Sequence, residues 1–471
     1  MHHTFRRSGT LKRSGTFRRS VPVTVLLIAA LVAATPMRPT VASAAKAPLH
    51  VWVHPGDKVA IQPTVFGVNN EWRQVTSAEF PAFNAGLHSF GYRLLRFPGG
   101  WESEHYDWAT NTTPGWSKSP AQPGANVRQA KRAGVKAAFV VRTAPYVGDP
   151  TAANLNMLKN QARRLVRAHG DTVKHWLVGN EWWLQWGGDR GEKLRRYATV
   201  ARAIAREMKA ANRTINVYVT GDWTAPWEFT WMKNMFTATS AWRDVDGVDL
   251  HIYAGDDGTA TDYRNIPRNL RAIRSRTGKS KIFASEWAAT KANSVGNKRA
   301  LRSVNNMVVI MHSMIRAGVT SMAYWPAPDI AQGIGLLREV RSGVYHELPH
   351  GQAFRWMAKG MAGYSVATTG SPATVASQRT RNKTITVLIP SKATFNQPIT
   401  VHFANTDVTE VLSGHAMWMK DPNAIRQAAN ITGIRITDFD GANDTVTVTA
   451  NPGSAGRGSS HELIRLVVGY R

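Results

Sequence analysis

Short apolar runs alternate with helical patterns through the middle of the chain. Eight runs predict buried strands, at residues 65–70, 94–98, 137–142, 176–181, 217–220, 248–253, 282–286 and 321–325. The segments between them are mostly rich in Ala, Arg and Leu at helical spacing. Apolar strands alternating with helices are typical of a parallel sheet covered on both faces. Eight repeats over roughly 260 residues predict an α/β fold, a closed (β/α)8 TIM barrel at residues 60–360, better than an open doubly wound sheet.

The pattern changes after about residue 363. Helical spacing disappears, and β-rich runs follow at residues 384–389, 399–403, 445–448 and 463–468, punctuated by Gly, Asn, Asp and Pro. They predict an accessory antiparallel β-sandwich at residues 364–471, completed by a strand-like segment at residues 47–59. A carbohydrate-binding role is one interpretation of this domain. Residues 364–471 contain a single tryptophan, Trp418, which favours a structural role.

The first 44 residues have the pattern of a secretory signal peptide. A basic region precedes an apolar stretch at residues 21–34, and small residues at 42–44 offer a cleavage site. Arg18 and Arg19 hint at twin-arginine export, but the residues after them favour ordinary secretion. The apolar stretch is short for a membrane span. We expect a secreted, extracellular protein, with a periplasmic or cell-wall location as alternatives, and no stable membrane insertion after cleavage.

The chain is strongly basic and lacks cysteine. Its formal charge is +28, and seven of the positive charges lie in residues 1–44, which leaves +21 for the rest. The absence of cysteine excludes disulfides and thiolate metal sites. The charge suits an acidic partner, such as a uronic-acid polysaccharide or nucleic acid, or an adaptation to acidic surroundings. Because many basic residues lie on predicted helices and not in strand-end loops, the second interpretation is favoured.

Two glutamates stand at the ends of predicted strands. Glu181 follows Asn180 at the end of the fourth strand, and Glu286 ends the seventh. Active-site residues of such barrels project from the carboxyl ends of the strands. Enzymes that hydrolyse glycosidic bonds typically use a pair of carboxylic acid side chains. One strand-end polar residue has a ready structural explanation, such as a capping Asp, but two glutamates on these strands together point to chemistry.

The motifs around these glutamates resemble clan A retaining glycoside hydrolases. The matching segments are residues 179–181 (GNE), 285–287 (SEW), 95–100 (LRFPGG) and 251–253 (HIY). Together with residues 106–108 (YDW), they are similar to arabinofuranosidases, β-xylosidases and the heparanase/β-glucuronidase relatives. The resemblance covers about residues 60–360. It implies that Glu181 is the acid/base and Glu286 the nucleophile.

The neighbouring residues suit a double displacement on a β-glycosidic bond. Arg96 is placed to keep Glu286 ionised, and Tyr253 to donate a hydrogen bond to it. Asn180 suits the substrate 2-hydroxyl. The pKa of Glu181 is expected to be raised by its Trp-lined setting and by Glu286. Retention requires the two carboxyl groups to lie about 5–5.5 Å apart.

Tryptophans indicate the substrate. Eleven of 17 fall at or after strand ends, where they can stack on sugar rings: Trp101, Trp108, Trp116, Trp182, Trp183, Trp186, Trp223, Trp227, Trp231, Trp287 and Trp325. They favour a polysaccharide or oligosaccharide. The residues predicted to bind it are Asn70, Arg96, Asn180, Trp182, Asp222, His251, Tyr253, Trp287 and Trp325. A uronate could pair with Arg142, His105 or Arg73, but pairing with Glu102, Glu104 or Asp107 explains those residues equally well.

Other classes of function remain to be weighed. A non-catalytic carbohydrate- or cell-wall-binding protein on the same barrel is the alternative, although both glutamates are retained. A nucleic-acid binder would need a recognisable motif or a continuous basic groove, and the sequence shows no such motif. A metal-dependent hydrolase is disfavoured because there is no His-Glu-x-x-His motif. We therefore expect no nucleic-acid partner, no metal and no other cofactor.

Overall fold

The computed structural model describes residues 46–70, 75, 78–113, 122–238, 240–256, 258–289, 300–329, 333–392, 396–420, 427–451 and 461–471. The predicted signal peptide, Glu71, Arg73 and Trp116 lie outside these residues. No helix in the described ranges is both long and apolar enough to cross a membrane.

Eight parallel strands close into a barrel, in the order of the sequence. They are β2 (Gly67–Asn69), β3 (Leu94–Phe97), β4 (Lys136–Val141), β5 (His175–Val178), β6 (Asn216–Gly221), β7 (Gly247–Ala254), β8 (Lys281–Ala289) and β9 (Ser321–Tyr324). The last strand pairs with the first, so the predicted barrel is confirmed. One buried cluster on these strands consists of Leu94, Ala138, Val140, Leu177, Tyr218, Phe283 and Ala323. Apolar side chains fill the barrel at this level, so polar side chains are found towards the carboxyl ends of the strands.

Helices connect the barrel strands. They are α1 (Phe80–Phe90), α2 (Pro123–Ala133), α3 (Ala144–Gly148), α4 (Ala152–His169), α5 (Arg190–Ala211), α6 (Glu228–Thr237), α7 (Ile266–Thr277) and α8 (Ala300–Arg316). A hairpin of β10 (Leu337–Arg341) and β11 (Val344–Glu347) and then α9 (Pro349–Gly360) follow the last barrel strand. Helix α5 begins where the Asp189 carboxylate accepts the Glu192 N–H at 2.8 Å. From its buried face, the Tyr197 hydroxyl donates to Val178 O at 2.6 Å and so fixes the end of β5.

The remaining strands form one ten-stranded sheet. They are β1 (Leu49–Ala60), β12 (Tyr364–Gly370), β13 (Val375–Arg379), β14 (Thr384–Ser391), β15 (Gln397–Phe403), β16 (Val408–Trp418), β17 (Asn430–Gly433), β18 (Ile436–Asp440), β19 (Thr445–Ala450) and β20 (Glu462–Tyr470). Their order is β17-β16-β20-β14-β13-β12-β1-β15-β19-β18. All neighbours are antiparallel except β1 and β15, which are parallel. The predicted antiparallel domain therefore contains one parallel pair, made by the strand that comes first along the chain.

The two faces of this sheet bury different side chains. On β14 and β20, residues such as Val387 and Leu466 belong to a core confined to the sheet. The alternate residues Leu388 and Leu463 join the core of the barrel. This alternation follows from the two-residue period of a strand. It makes the sheet an integral part of the described fold.

Candidate active site

Glu181 lies on a sharp turn just past β5. The strand ends at Val178, and Gly179 (φ +81°) and Glu181 (φ +41°) both adopt left-handed backbone conformations. A Cβ at Gly179 would lie 2.7 Å from Thr143 Oγ1, so only glycine fits there. The predicted strand at residues 176–181 therefore ends three residues too late, and Asn180 and Glu181 belong to the loop. For glutamate, the left-handed backbone is an uncommon conformation of the kind that clusters at functional sites.

Glu286 lies inside β8, at a bulge. Leu250 pairs with Ala284, but the next residue of β7, His251, pairs with Glu286, so Ser285 is skipped. The contact between β8 and β9 is also irregular between Ala284 and Trp287. Bulges re-aim side chains and are frequent beside active sites. Here the bulge brings Glu286 level with His251.

Three groups hold the Glu286 carboxylate. Its Oε1 accepts hydrogen bonds from Arg96 Nη1 at 2.8 Å and from the Gly100 N–H at 3.1 Å. Its Oε2 accepts from the Tyr253 hydroxyl at 2.6 Å. Arg96 is held in turn by the side-chain oxygens of Asn69, at 2.8 Å, and Asn180, at 2.6 Å. The structure therefore brings the predicted residues Arg96, Asn180 and Tyr253 together around Glu286.

Burial and charge act in opposite directions on Glu286. Burial raises the pKa of its carboxyl group, but the charges of His251 and Arg96 and the hydrogen bond from Tyr253 lower that pKa further. The net pKa is below the ordinary value, so Glu286 is a carboxylate at neutral pH. The pKa of Tyr253 is well above its ordinary value, because burial and the nearby carboxylates disfavour a tyrosinate. Tyr253 therefore keeps the proton that it donates.

His251 lies between the two glutamates. Its Nδ1 is 3.0 Å from Glu181 Oε1 and 3.3 Å from Glu286 Oε2. Burial lowers the pKa of His251, but the charges of Glu286 and Glu181 raise it above the ordinary value. The neighbouring carboxyl groups therefore favour a proton on this ring, which lies between them. One oxygen of each glutamate and the ring nitrogen all lie within 4.8 Å of one another.

Such a cluster also has the spacing of a metal site. Both Glu286 oxygens already accept hydrogen bonds, one of them from the guanidinium of Arg96. A metal cation bound here would have to compete with that guanidinium for the Glu286 oxygen. The contacts fit a carboxylate held by protein donors better than one that binds a metal.

Two buried side chains complete the site. Asn69 donates from Nδ2 to Ser285 O at 2.7 Å, which ties the bulge to β2. Glu104 accepts hydrogen bonds from the backbone N–H groups of Thr143, Ala144 and Asn180. From the sequence, Glu104 is expected only as the partner of a basic residue. The backbone groups that donate to it lie in segments distant along the chain, and no local sequence pattern around Glu104 indicates these contacts.

Asn70 and Asp222 lie at the rim of this arrangement. Asn70 is buried and donates to Asn126 Oδ1 at 3.2 Å. Asp222 pairs with Arg190 at 2.9 Å and accepts from the Thr224 backbone N–H at 2.8 Å. Asn70 Nδ2 and Asp222 thus have partners within the protein, whereas Asn70 Oδ1 and Asn180 Nδ2 have none among the described residues.

The predicted aromatic residues separate into two groups. Trp182 and Trp287 have no exposed surface and pack in the core, Trp182 against Tyr197 and Trp287 against Tyr324. They cannot reach a substrate in this conformation. Trp325 packs edge-on against Tyr253, beside Glu286. In the fourth loop it is Trp183, partly exposed, whose ring faces His251 at 6.4 Å between centroids.

Several aromatic rings are open to solvent on the loops and helices after the barrel strands. The exposed fractions of Trp101, Trp186, Trp227 and Trp231 are 43%, 81%, 53% and 59%. Arg142, a candidate for binding a uronate, is buried and pairs with Asp107 at 3.2 Å. This ion pair agrees with the alternative interpretation of Arg142, in which it pairs with an acidic residue of the protein and not with a uronate.

Comparisons with known proteins bear on the fold. No protein-family model matches the chain, and no curated protein matches its sequence. Among solved structures, a family 51 α-L-arabinofuranosidase from Bifidobacterium longum is similar, with a TM-score of 0.66 and 15% identity over 90% of this chain and 100% of that chain. A GH51 arabinofuranosidase from Xanthomonas axonopodis pv. citri has a TM-score of 0.64 and 15% identity, covering 89% and 99%.

A third similar structure comes from another family. It is a xyloglucanase of glycoside hydrolase family 44 from Paenibacillus polymyxa, with a TM-score of 0.59 and 13% identity over 90% of this chain and 100% of that chain. At such identities the similarity is one of fold. The resemblance to clan A glycoside hydrolases, arabinofuranosidases among them, is confirmed at that level: the chain has the barrel and accessory β-domain of these enzymes.

Proposed function

We propose that this protein is a secreted retaining glycoside hydrolase that cleaves β-glycosidic bonds of a polysaccharide or oligosaccharide. Glu286 is the nucleophile and Glu181 the acid/base. The observation that carries the proposal is a pair of glutamates in different surroundings, Glu286 buried and Glu181 partly exposed. One oxygen of each lies within 4.8 Å of one oxygen of the other. Oxygens this close are compatible with the carboxyl separation of about 5–5.5 Å that retaining enzymes need.

In the first step, Glu286 attacks the anomeric carbon. A carbon–oxygen bond forms between Glu286 and the sugar while the bond to the leaving oxygen breaks and Glu181 gives that oxygen its proton. Arg96, Tyr253 and the Gly100 N–H hold the attacking carboxylate in place. The Asn180 Nδ2 group, without a partner in the described protein, is suited to donate to the sugar 2-hydroxyl.

In the second step, water releases the sugar. Glu181, now a carboxylate, takes a proton from the water that attacks the anomeric carbon, and Glu286 leaves as a carboxylate. The side chain of Glu181 is 18% exposed and can reach solvent. His251, whose pKa the two glutamates raise, lies 3.0 Å from Glu181 and supports its carboxylate form at this stage.

Exposed tryptophans support a polymeric substrate. Trp186, Trp227 and Trp231 are each more than half exposed, which costs free energy unless a ligand covers them. Aromatic rings suit the C–H faces of sugars. These rings follow β5 and β6 along the chain, and the segments after the strands lie at the end of the barrel where the two glutamates stand.

A second substrate class has support of its own. Two of the similar structures are named arabinofuranosidases, one of them specifically an α-L-arabinofuranosidase. The same two glutamates would perform a double displacement on α-L-arabinofuranosides. The β-glycosidase and the α-L-arabinofuranosidase thus differ in how the site holds the sugar, not in the roles of Glu181 and Glu286.

Hydrolysis of a panel of aryl glycosides tests the proposal. The panel holds β-D-glucoside, β-D-xyloside, β-D-glucuronide and α-L-arabinofuranoside, and NMR follows the anomer that forms first. We expect one or more to be cleaved with retention of configuration. Inversion would refute the assigned roles. Binding of polysaccharide without hydrolysis of the panel or of any polymer would favour the non-catalytic alternative.

A further inference from the structure

A cavity lies where the barrel meets the ten-stranded sheet. Its volume is about 420 Å³, within the range of roughly 300–1,000 Å³ that small-molecule sites occupy. Its lining includes neither Glu181 nor Glu286. The polar lining comes from both parts of the fold: Asp256, Tyr263, Asn305, Asn306, Lys392 and Gln397.

Two buried amides on helix α8 line this cavity. Asn305 is 2% exposed and Asn306 is 6% exposed. Asn305 donates to Ser391 O at 3.4 Å, but its Oδ1 and the Asn306 Nδ2 have no hydrogen-bond partner among the described residues. A buried polar group without a hydrogen-bond partner destabilises the folded protein. Packing alone would favour apolar side chains here, so a ligand that bonds to these amides explains them better.

The charges around the cavity are used within the protein. Asp256 lies 3.4 Å from Arg302 and 3.1 Å from Lys392, so one carboxylate engages two cations. Arg302 and Lys392 are thus partly neutralised by Asp256, and both oxygens of Asp256 are engaged by them. The two amides and the Tyr263 ring offer donors, acceptors and an apolar face. That combination suits a neutral molecule with many hydroxyl groups.

The cavity adjoins the catalytic face of the barrel. Asp256 follows Tyr253, which contacts Glu286, by three residues, so their Cα atoms lie within about 11 Å of each other at full extension. The end of β7 therefore connects one wall of the cavity to the residue that contacts Glu286. We propose that the cavity is a second carbohydrate site, which binds a neutral sugar residue between barrel and sheet. The inference does not require Glu181 and Glu286 to be catalytic.

Binding measurements in an inactive background test this site. The Glu286→Ala protein is titrated calorimetrically with xylohexaose, cellohexaose, arabinohexaose and hexagalacturonate. Ala373→Trp fills the cavity from its exposed rim, and Asn306→Leu removes the amide at similar volume. Ala442→Trp, on an exposed turn outside the lining, is the matched control. We expect both cavity variants to weaken binding of at least one neutral hexaose by tenfold or more, and the control to leave it unchanged.

Other outcomes would overturn the proposal. They are equal affinity in all three variants, no binding of any neutral hexaose, or an effect confined to hexagalacturonate. Melting temperatures show whether Asn306→Leu remains folded, and Ala373→Trp decides alone if it does not. Failure of the hydrolysis panel would leave these titrations valid, so the two proposals can fail separately.

Discussion

The two glutamates of the site have the same side chain but opposite surroundings. Glu286 lies within a strand, is almost fully buried, and accepts hydrogen bonds from Arg96, Gly100 and Tyr253. Glu181 lies on a left-handed turn, is partly exposed, and borders His251. The Glu286 carboxylate, held by cationic and neutral donors, stays ionised and keeps a fixed orientation. The Glu181 side chain reaches solvent instead. The different surroundings therefore suit two identical side chains to different roles.

The largest expected effect comes from removing either glutamate. Glu286→Ala should lower kcat by about 10⁴-fold or more, because no nucleophile remains. Glu181→Ala should lose about 10²–10⁴-fold on substrates whose leaving group needs a proton, and much less on dinitrophenyl glycosides. Azide then separates the two roles. It should rescue Glu286→Ala with an inverted glycosyl azide and Glu181→Ala with a retained one; the opposite pairing would exchange the roles.

Arg96→Met should have the next largest effect. Breaking a buried ion pair leaves Glu286 uncompensated and costs about 3–5 kcal/mol of unfolding free energy. Because the folded pKa of Glu286 is lowered, its stabilising contribution is present above the unfolded pKa of about 4.3 and is lost as pH falls through the folded pKa. Urea unfolding should therefore show a larger loss at neutral pH than in acid.

A surface pair provides the matched control for Arg96→Met. Arg163 pairs with Glu207, and its side chain is 36% exposed. Arg163→Met should cost at most about 1 kcal/mol. Equal losses of unfolding free energy in the two variants would show that the Arg96–Glu286 pair contributes no more to stability than a surface pair.

Tyr253→Phe tests one contact to Glu286. Hydrogen bonds to charged groups contribute about 1.5–3 kcal/mol, so kcat/KM should fall roughly 10- to 150-fold. Without this donor the pKa of Glu286 rises, and the acidic limb of the pH profile of kcat/KM should move to higher pH. An unshifted limb would mean that Glu286 does not set it.

Glu104→Gln should act mainly through Glu181. The amide group places a donor against N–H groups that now point at a carboxylate. Leaving one buried donor unpaired costs about 1–3 kcal/mol. We expect a lower melting temperature and a kcat about tenfold lower, with the pH limb of Glu286 unchanged. Loss of stability at full kcat would mean that Glu104 does not position the turn.

The smallest effect should come from Trp186→Ala. This ring is 81% exposed, so its removal should not destabilise the fold. Stacking of this kind contributes about 0.5–1.5 kcal/mol, which corresponds to a KM for polymer two- to tenfold higher. Turnover of an aryl monosaccharide should be unaffected. An equal change for both substrates would place Trp186 beside the reacting sugar.

The barrel was predictable because its strands are apolar runs with a regular repeat. All eight predicted runs contain the observed strands or overlap them. The strand-end position of polar residues then pointed to Glu181, Glu286, Arg96, Asn180 and Tyr253. These features are local, and a sequence records them directly.

What the sequence did not reveal depends on contacts between distant segments. The bulge at Ser285 is a property of three strands packed together, and it sets Glu286 level with His251. The left-handed turn at Glu181 decides that Trp183 faces the site while Trp182 is buried. Two adjacent tryptophans cannot be told apart from the sequence. The directions in which their side chains point follow from a backbone turn that no local sequence pattern predicts.

Strand β1 has a consequence for how the protein is made. Val51 pairs with Gly370 on one side and Val401 on the other, so β1 joins two groups of strands that share no other link in the sheet. A chain synthesised from its N-terminus must keep this strand unpaired until both groups have emerged. Such distant pairing slows folding. Deletion of residues 46–60 would therefore split the C-terminal domain although none of that domain's later strands had been removed.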